Sequence, residues 1–97
     1  MFYVVSYDII DDKKRVKVAD TLLDFGKRVQ YSVFECELSE DYLENLVRKL
    51  KEIVSSEDSI RIYSLCSQCI KSIRILGTGT ITEDENVVIL WGLHTDF

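Results

Sequence analysis

The first strand limits the fold of this chain more than any other stretch of the sequence. Residues 2–9 are an almost unbroken run of Val, Ile, Tyr and Phe, with a carboxylate, Asp8, near its end. A strand with one face in water would alternate apolar with charged residues, whereas this one carries large groups on both faces. We therefore predict a central strand. A carboxylate buried at its end would need a metal ion, a basic side chain or backbone N–H donors.

Two helices are predicted from the spacing of apolar residues. Helix one is expected over residues 13–25, with Asp12 as its N-cap and Gly26 at its C-terminal stop. One apolar stripe is formed by Val16, Ala19 and Leu23, and a second stripe beside it is formed by Val18, Leu22 and Phe25. Helix two follows a Ser39 cap and shows the clearest helical periodicity in the chain. Its stripe is Leu43, Leu46, Val47, Leu50, Ile53 and Val54.

The remaining apolar runs predict four more strands. We expect strand two over residues 28–37, strand three over 59–65, strand four over 70–76 and a short strand five over 87–91. The spacing of strand four would also allow a short helical start. Between strands three and four, residues 66–69 form a tight connection.

The predicted fold class is α+β: a ferredoxin-like βαββαβ sandwich with an extra C-terminal strand. Both helices would cover one face of a four-stranded antiparallel sheet. Because a large apolar face is rarely left in water, we expect a second copy to cover the other face as a sheet-to-sheet homodimer. Residues 1–97 form one domain, in which residues 80–97 are a strand and tail expected to contact the partner subunit.

Composition limits the classes of function. A chain of 97 residues with 46% hydrophobic residues has room for one core and is too apolar to be disordered. No apolar run suits a membrane span, and the N-terminus lacks a signal-peptide pattern, so a cytoplasmic protein is expected. The net charge of −5 argues against coating DNA over the whole surface. An odd count of three cysteines does not suggest a disulfide framework.

Three segments of the predicted strands resemble a known family. They are Val4-Val5-Ser6-Tyr7-Asp8-Ile9 with Asp11-Asp12, Arg28-Val29-Gln30-Tyr31-Ser32-Val33-Phe34-Glu35, and Ser59-Ile60-Arg61-Ile62-Tyr63. They are similar to the small CRISPR-associated adaptation protein, also described as a CRISPR-associated endonuclease, and the likeness runs to about Leu76. The resemblance implies a ferredoxin-like homodimer that bridges dimers of the larger CRISPR integrase subunit and holds double-stranded DNA across the assembly.

The same resemblance implies a nuclease site. Some members are described as magnesium-dependent nucleases acting on single-stranded RNA or double-stranded DNA, with the strand-one aspartate of each subunit holding the metal at the dimer interface. That role falls on Asp8, with Mg²⁺ or Mn²⁺ as the metal. The other positions that match the family's site are Tyr7, Arg15, Arg28 and Phe34. Lys17 stands where some members have arginine, so that role is not transferred.

Asp8 has a simpler alternative role, which is to cap helix one or to pair with Arg15. A single aspartate is a poor Mg²⁺ site, because this ion takes six oxygen ligands and usually one or two carboxylates. A twofold axis would bring two copies of Asp8 together, and a metal held there could polarise a phosphate. His94, the only histidine, lies in the C-terminal tail and is not near this region.

Six basic residues form the candidate nucleic-acid surface. They are Lys13, Lys14, Arg15, Lys17, Lys27 and Arg28, half of the twelve Lys and Arg residues. A dimer would carry the patch twice, which suits sequence-independent contacts with duplex phosphates. The alternative is an ordinary solvated helix face, and the alternative for Tyr7 and Phe34 is a place in the core.

Cys66-x-x-Cys69 is interpreted as a structural turn. It supplies half of a zinc site, and no second pair is spaced to complete it. A redox-active pair would be expected to open a helix after a strand, and a turn between two strands does not provide that position.

Three classes of function therefore stay open. The first is a scaffold that binds DNA and the integrase, and the second is an enzyme that cleaves RNA or DNA. The third is a ferredoxin-like small-molecule regulatory or protein-interaction domain without nuclease activity. A ligand-binding domain would be expected to carry a glycine-bearing loop, and Gly26 is the only glycine before Gly77.

Overall fold

A computed structural model describes residues 1–77, which form four strands and three helices. The elements are β1 (Phe2–Asp8), α1 (Asp12–Leu23), β2 (Lys27–Gln30), β3 (Val33–Glu37), α2 (Glu40–Lys51), β4 (Ser59–Leu65) and α3 (Ser67–Lys71). The strands form one antiparallel sheet in the order β2-β3-β1-β4. This is the βαββαβ arrangement of the ferredoxin-like fold, so the predicted fold class and the central place of β1 are confirmed. None of the helices within these residues is long and apolar enough to cross a membrane.

The strands that build this topology differ from those predicted. Predicted strand two, residues 28–37, is a hairpin of β2 and β3 with Tyr31 and Ser32 at its turn and a register shift between Arg28 and Gln30. Predicted strand four, residues 70–76, is wrong, because α3 occupies its start and no strand follows within it. The fourth strand of the fold is therefore the predicted strand three. Predicted strand five lies outside the described residues, and so does the tail over residues 80–97.

Helix α1 begins one residue earlier than predicted and is capped by Asp11 and not by Asp12. The Asp11 carboxylate accepts a hydrogen bond from the backbone N–H of Lys14 at 2.8 Å, which satisfies one of the free donors of the first turn. The buried side of the helix is formed by Val18, Ala19 and Leu22. Of the stripe formed by Val16, Ala19 and Leu23, only Ala19 is buried, since Val16 and Leu23 are exposed.

The main core lies between the two long helices and one face of the sheet. Helix α2 is capped by Ser39 as predicted and buries Leu46 and Leu50. The buried residues of this core are Tyr3, Val5, Tyr7, Ile9, Val18, Ala19, Leu22, Phe34, Cys36, Leu38, Leu46 and Leu50. Gly26 permits a close approach at its edge, because a Cβ there would overlap the carbonyl oxygen of Glu35 and the sulfur of Cys36. We call the sheet surface that faces these helices the closed face.

The opposite surface of the sheet is partly covered. Strand alternation and pairing place Phe2, Val4, Ser6 and Asp8 of β1 on this side, together with Val33 of β3 and Arg61 and Tyr63 of β4. At one corner Phe2 is fully buried against Ile70 of α3. The predicted arrangement, in which the helices cover only one face of the sheet, is therefore wrong at that corner, where α3 covers the other face. We call the remainder, which consists of Val4, Ser6 and Asp8 of β1 with Val33, Arg61 and Tyr63, the open face.

Candidate functional site

The end of β1 divides the predicted site between the two faces of the sheet. Consecutive residues of a strand point in opposite directions, so Tyr7 and Asp8 cannot share a face. Tyr7 lies on the closed face and is 4% exposed. Asp8 lies on the open face, opposite Ser59 of β4, and is exposed to solvent. The structure therefore brings four of the predicted site residues to one side of the sheet and leaves Asp8 on the other.

Asp8 makes no side-chain hydrogen bond or ion pair within residues 1–77. Both alternative roles for this carboxylate are filled by neighbours, since Asp11 caps α1 and Asp12 pairs with Arg15. Among the described residues no group of three or more His, Cys, Asp or Glu side chains could hold a metal ion. The free carboxylate of Asp8 has the oxygen donors that Mg²⁺ and Mn²⁺ prefer. One chain supplies too few ligands, so a metal site here would need a second copy.

Tyr7, Arg28 and Phe34 meet on the closed face, and we call them the Tyr7 cluster. The guanidinium of Arg28 donates a hydrogen bond to the Tyr7 hydroxyl at 3.3 Å. That hydroxyl donates to the backbone carbonyl of Tyr31 at 3.4 Å. The guanidinium carbon of Arg28 lies 5.2 Å from the centre of the Phe34 ring, within range of a cation–π interaction. Because Phe34 and Tyr7 are buried, their interpretation as core aromatics is confirmed, and any catalytic role for them stays a prediction.

Arg15 fixes the loop that follows Asp8. Its guanidinium donates hydrogen bonds to the carbonyls of Ile9 at 2.9 Å and Ile10 at 3.2 Å, and it pairs with Asp12. The hydrogen bond with Asp12 is the main cause that raises the pKa of Arg15. These contacts tie the first turn of α1 to the chain directly after β1. The guanidinium of Arg15 is therefore occupied by contacts within the chain, and these contacts hold the end of β1 in position.

A small cavity of about 240 Å³ is lined by both Arg15 and Arg28. Its other lining residues are Tyr7, Val16, Ala19, Asp20 and Tyr31. Tyr31 was not singled out from the sequence, although it belongs to the Arg28–Glu35 run that carries the resemblance. Its ring is 75% exposed while its carbonyl receives the Tyr7 hydroxyl. It is the aromatic residue of this region that solvent, and hence a ligand, can reach.

The predicted basic patch is smaller than its six members suggest, because the fold already uses Lys14, Arg15 and Arg28. The Lys14 ammonium binds Ser55 at 2.6 Å and Asp58 at 3.2 Å and lies 3.7 Å from Glu57. The hydrogen bond with Asp58 is the main cause that raises the pKa of Lys14. The pKa of Asp58 is lowered, chiefly by the backbone N–H of Ser55. This network joins α1 to the loop before β4 and could not be read from local sequence.

Three basic side chains stay available for phosphates. Lys13 and Lys17 lie one turn apart on α1, and Lys27 lies at the start of β2. All three are exposed and make no side-chain hydrogen bond or ion pair with residues 1–77. Their charges are therefore free to attract an anionic ligand.

With this geometry in place, comparison with known proteins identifies the class of the domain. Residues 1–73 match the family described as CRISPR associated protein Cas2. The match covers well over half of the 97-residue chain. The chain therefore belongs to the Cas2 family, and the resemblance drawn from its sequence is confirmed.

Two curated relatives show how far the similarity extends. The chain is 44% identical over 89 residues to the CRISPR-associated endoribonuclease Cas2 3 of Synechocystis sp., a match that covers 91% of this chain and 97% of the relative. It is 43% identical over 89 residues to the CRISPR-associated endonuclease Cas2 2 of Thermus thermophilus, covering 91% of this chain and 94% of that protein. The two relatives carry different nuclease names at almost the same identity.

Solved structures agree in fold. Cas2 of Streptococcus pyogenes matches with a TM-score of 0.71 and 32% identity, covering 79% of this chain and all of the other. A chain of a structure titled as a partial Cas6-RT-Cas1–Cas2 complex matches with a TM-score of 0.69 and 34% identity, covering 74% of this chain and 86% of the other. Both support the ferredoxin-like assignment.

Proposed function

We propose that this chain acts in CRISPR adaptation as a homodimer that binds nucleic acid and assembles with the larger integrase subunit. We further propose that two Asp8 carboxylates together hold a divalent ion, Mg²⁺ or Mn²⁺, that supports cleavage of RNA or DNA. The Cas2 family match, the nuclease names of the relatives and the similarity to a chain in a Cas1–Cas2 complex support the first part.

The free carboxylate of Asp8 carries the second part of the proposal. A carboxylate that stabilises the fold would be expected to cap a helix or to pair with a basic side chain. Here Asp11 caps α1 and Asp12 pairs with Arg15. Asp8 is instead exposed at the end of a central strand. Two such groups facing each other would repel, and a divalent cation between them would remove that repulsion. When bound, such a cation would stabilise the charge that develops on a phosphate during cleavage.

The open face supports the homodimer. Val4 and Val33 are half-buried there, and Tyr63 is 49% exposed. The Tyr63 hydroxyl accepts a hydrogen bond from Arg61 at 3.5 Å, and an exposed tyrosine beside an arginine is typical of the centre of a protein interface. A second copy would present the same face, as a twofold dimer requires. Because Asp8 lies on that same face, the dimer proposed for stability is also the one that could supply a second carboxylate.

The remaining groups fit roles around the metal and the phosphate backbone. Lys13, Lys17 and Lys27 are the members of the predicted basic patch that have no ion pair within residues 1–77, and they would make contacts that do not depend on sequence. Arg15 holds the loop that follows Asp8, so we assign it to positioning the metal ligand. The Tyr7 cluster packs against β1 from the closed face. Any effect of the cluster on the metal ligand would therefore be transmitted through β1.

The direct test is a cleavage assay on labelled single-stranded RNA and double-stranded DNA with Mg²⁺, Mn²⁺ or a chelator. We would compare the wild type with Asp8→Asn, which keeps the size of the side chain and removes its charge. Glu44→Gln is the matched control, since Glu44 is an exposed carboxylate on α2. We expect metal-dependent cleavage by the wild type and the control, and only the metal-free background from Asp8→Asn.

The same proteins distinguish the two parts of the proposal. Dimerisation, duplex binding and capture of the larger integrase subunit should be unchanged in Asp8→Asn. Cleavage at the wild-type rate by Asp8→Asn would show that the metal site is wrong. If the chain captures the integrase but neither the wild type nor any variant cleaves nucleic acid, the scaffold part of the proposal stands and the nuclease part is wrong. Failure to bind either nucleic acid or the integrase would favour a regulatory or interaction domain.

A further inference from the structure

Cys66 and Cys69 lie where β4 passes into α3, and their sulfurs are 3.4 Å apart. Cys66 is the N-cap residue of α3 and Cys69 lies in its first turn. Both side chains are free thiols exposed to solvent. The sequence interpretation of a structural turn depended on a strand after the pair. Since a helix follows instead, the argument against a redox-active pair no longer holds.

We propose that Cys66 and Cys69 form a reversible dithiol–disulfide pair that is oxidised by small-molecule disulfides, such as oxidised glutathione, and reduced again by thiols. The two sulfurs are already in contact, so the bond requires a short approach and no rearrangement of the sheet. Both are open to a reagent from solvent. This site is independent of Asp8 and of the proposed nuclease.

The chemistry proceeds by thiol–disulfide exchange. The thiolate of Cys66 attacks one sulfur of oxidised glutathione, whose S–S bond breaks and releases one glutathione thiolate. The thiolate of Cys69 then attacks the Cys66 sulfur of the mixed disulfide and releases the second glutathione. The protein pair loses two electrons and two protons, and the oxidant becomes two molecules of glutathione.

The environment of Cys66 suits the first step. The pKa of its thiol is lowered, mainly by the backbone N–H of Cys69 and also by the Cys69 thiol. A lower pKa gives a larger thiolate fraction at neutral pH, and the thiolate is the attacking species.

Cys36 provides a contrast inside the same chain. It lies in β3, is fully buried in the main core, and burial raises the pKa of its thiol to about 11. A thiol in this setting is protonated at neutral pH and shielded from reagents. We therefore expect oxidation to be confined to Cys66 and Cys69.

A zinc site explains the pair less well. Two cysteines provide half of a tetrahedral thiolate site, and no group of three or more His, Cys, Asp or Glu side chains is gathered anywhere within residues 1–77. A redox pair needs only the two sulfurs that are present. The observations on this chain therefore favour oxidation.

The position of the pair gives the reaction a structural consequence. Ile70 directly follows Cys69, and its backbone N–H donates to the Cys66 carbonyl at 3.0 Å. The Ile70 side chain is buried against Phe2, where α3 covers a corner of the sheet. A bond between Cys66 and Cys69 would fix the turn that places Ile70. We expect slower hydrogen exchange at the Ile70 amide in the oxidised protein than in the reduced protein.

The test uses the full chain treated at neutral pH with oxidised or reduced glutathione. The protein is then acid-quenched, denatured, labelled with N-ethylmaleimide and digested with trypsin. Cleavage after Arg61 and Lys71 leaves both cysteines in one peptide. We expect this peptide to lose two hydrogens and to take no maleimide after oxidation. It should take two maleimides after reduction, while Cys36 takes one in both samples.

A matched variant and four outcomes decide the proposal. Cys69→Ser should trap a glutathione adduct on Cys66, since the second thiol that would displace the glutathione is absent. Two maleimides on the oxidised wild-type peptide would overturn the proposal, and so would stable glutathione adducts on both cysteines. A covalent dimer on a non-reducing gel would show pairing between chains instead. Zinc retained by the purified protein, with thiols that resist oxidised glutathione, would favour the metal site.

Discussion

The closed and open faces of one sheet differ in how far their side chains are buried and bonded within the chain. On the closed face Phe34 is fully buried and Tyr7 is 4% exposed, and the polar atoms of Tyr7 and Arg28 bond to each other. On the open face Tyr63 is 49% exposed and Asp8 has no partner within the described residues. Tyr7 and Asp8 are neighbours in β1, and their side chains lie on opposite faces of the sheet. The difference indicates that stability is concentrated on one side and that binding is expected on the other.

The largest expected effect is on the closed face. Phe34→Ala would leave a cavity beneath Arg28, and we expect the free energy of unfolding to fall by about 3–5 kcal/mol. Urea denaturation followed by circular dichroism measures this, with all variants at one protein concentration. Tyr31→Ala is the matched control, because its ring is 75% exposed and its loss should change stability by about 0.5 kcal/mol or less. Equal losses in the two variants would contradict the assignment of Phe34 to the core.

On the open face we expect a smaller effect. It should appear in the dissociation constant of the dimer and not in the free energy of unfolding. Tyr63→Ala would remove an aromatic anchor from the proposed dimer and cost about 2 kcal/mol of binding, or roughly a 30-fold weaker dimer. Sedimentation equilibrium gives the dissociation constant. Tyr42→Ala, which removes an exposed tyrosine from α2, should leave it unchanged. A dimer weakened by Tyr42→Ala and not by Tyr63→Ala would place the interface on the helices.

The carboxylates around the end of β1 should differ in their effect on stability. Asp11→Ala removes the N-cap of α1 and should lower the free energy of unfolding by about 1 kcal/mol. Asp8→Ala removes no contact within the described residues and should change it by about 0.5 kcal/mol or less. Thermal or urea denaturation of both variants makes the comparison. A larger loss from Asp8→Ala would show that Asp8 has a structural partner.

The smallest expected effect is on the pH dependence of stability. It should appear only in acid, and it arises at Asp58, away from both faces of the sheet. The pKa of Asp58 is lowered in the folded chain, chiefly by the Ser55 backbone N–H and then by Lys14. A carboxyl whose pKa is lower folded than unfolded stabilises the fold above its unfolded pKa. That stabilisation is lost as the pH falls through the folded value, below the ordinary 3.8.

Urea midpoints at neutral pH and across this acid range, for the wild type and Asp58→Asn, test the prediction. The wild type should lose stability in acid more steeply than the variant. Parallel pH profiles would show that the Lys14 network does not contribute.

The fold class and the central place of β1 could be predicted from the sequence, but not the number and boundaries of all the elements. β1, β4 and α2 have long apolar patterns, and these were found in place. The turn at Tyr31 and Ser32 was missed because neither residue is a glycine, proline or asparagine, which usually mark a hairpin. α3 was missed because a short run of isoleucines at residues 70, 73 and 75 fits a strand and a helix equally well.

The site was only partly predictable for a similar reason. The position of Asp8 follows from the end of β1, and its proposed role came from the family resemblance. Strand alternation alone could have shown that Tyr7 and Asp8 face opposite ways. The contact between Tyr7 and Arg28 depends on the hairpin register, and the Lys14–Asp58 pair joins residues 44 positions apart. Such contacts are set by tertiary packing and leave no local signal.

The most direct measurement is the number of Mn²⁺ ions bound per chain, determined by isothermal titration calorimetry on the wild type and on Asp8→Asn. If two Asp8 carboxylates meet across the open face, the wild type should bind one ion for every two chains. Asp8→Asn should bind none at that site while remaining a dimer. One ion per chain, or the same binding in Asp8→Asn, would contradict the account of the open face.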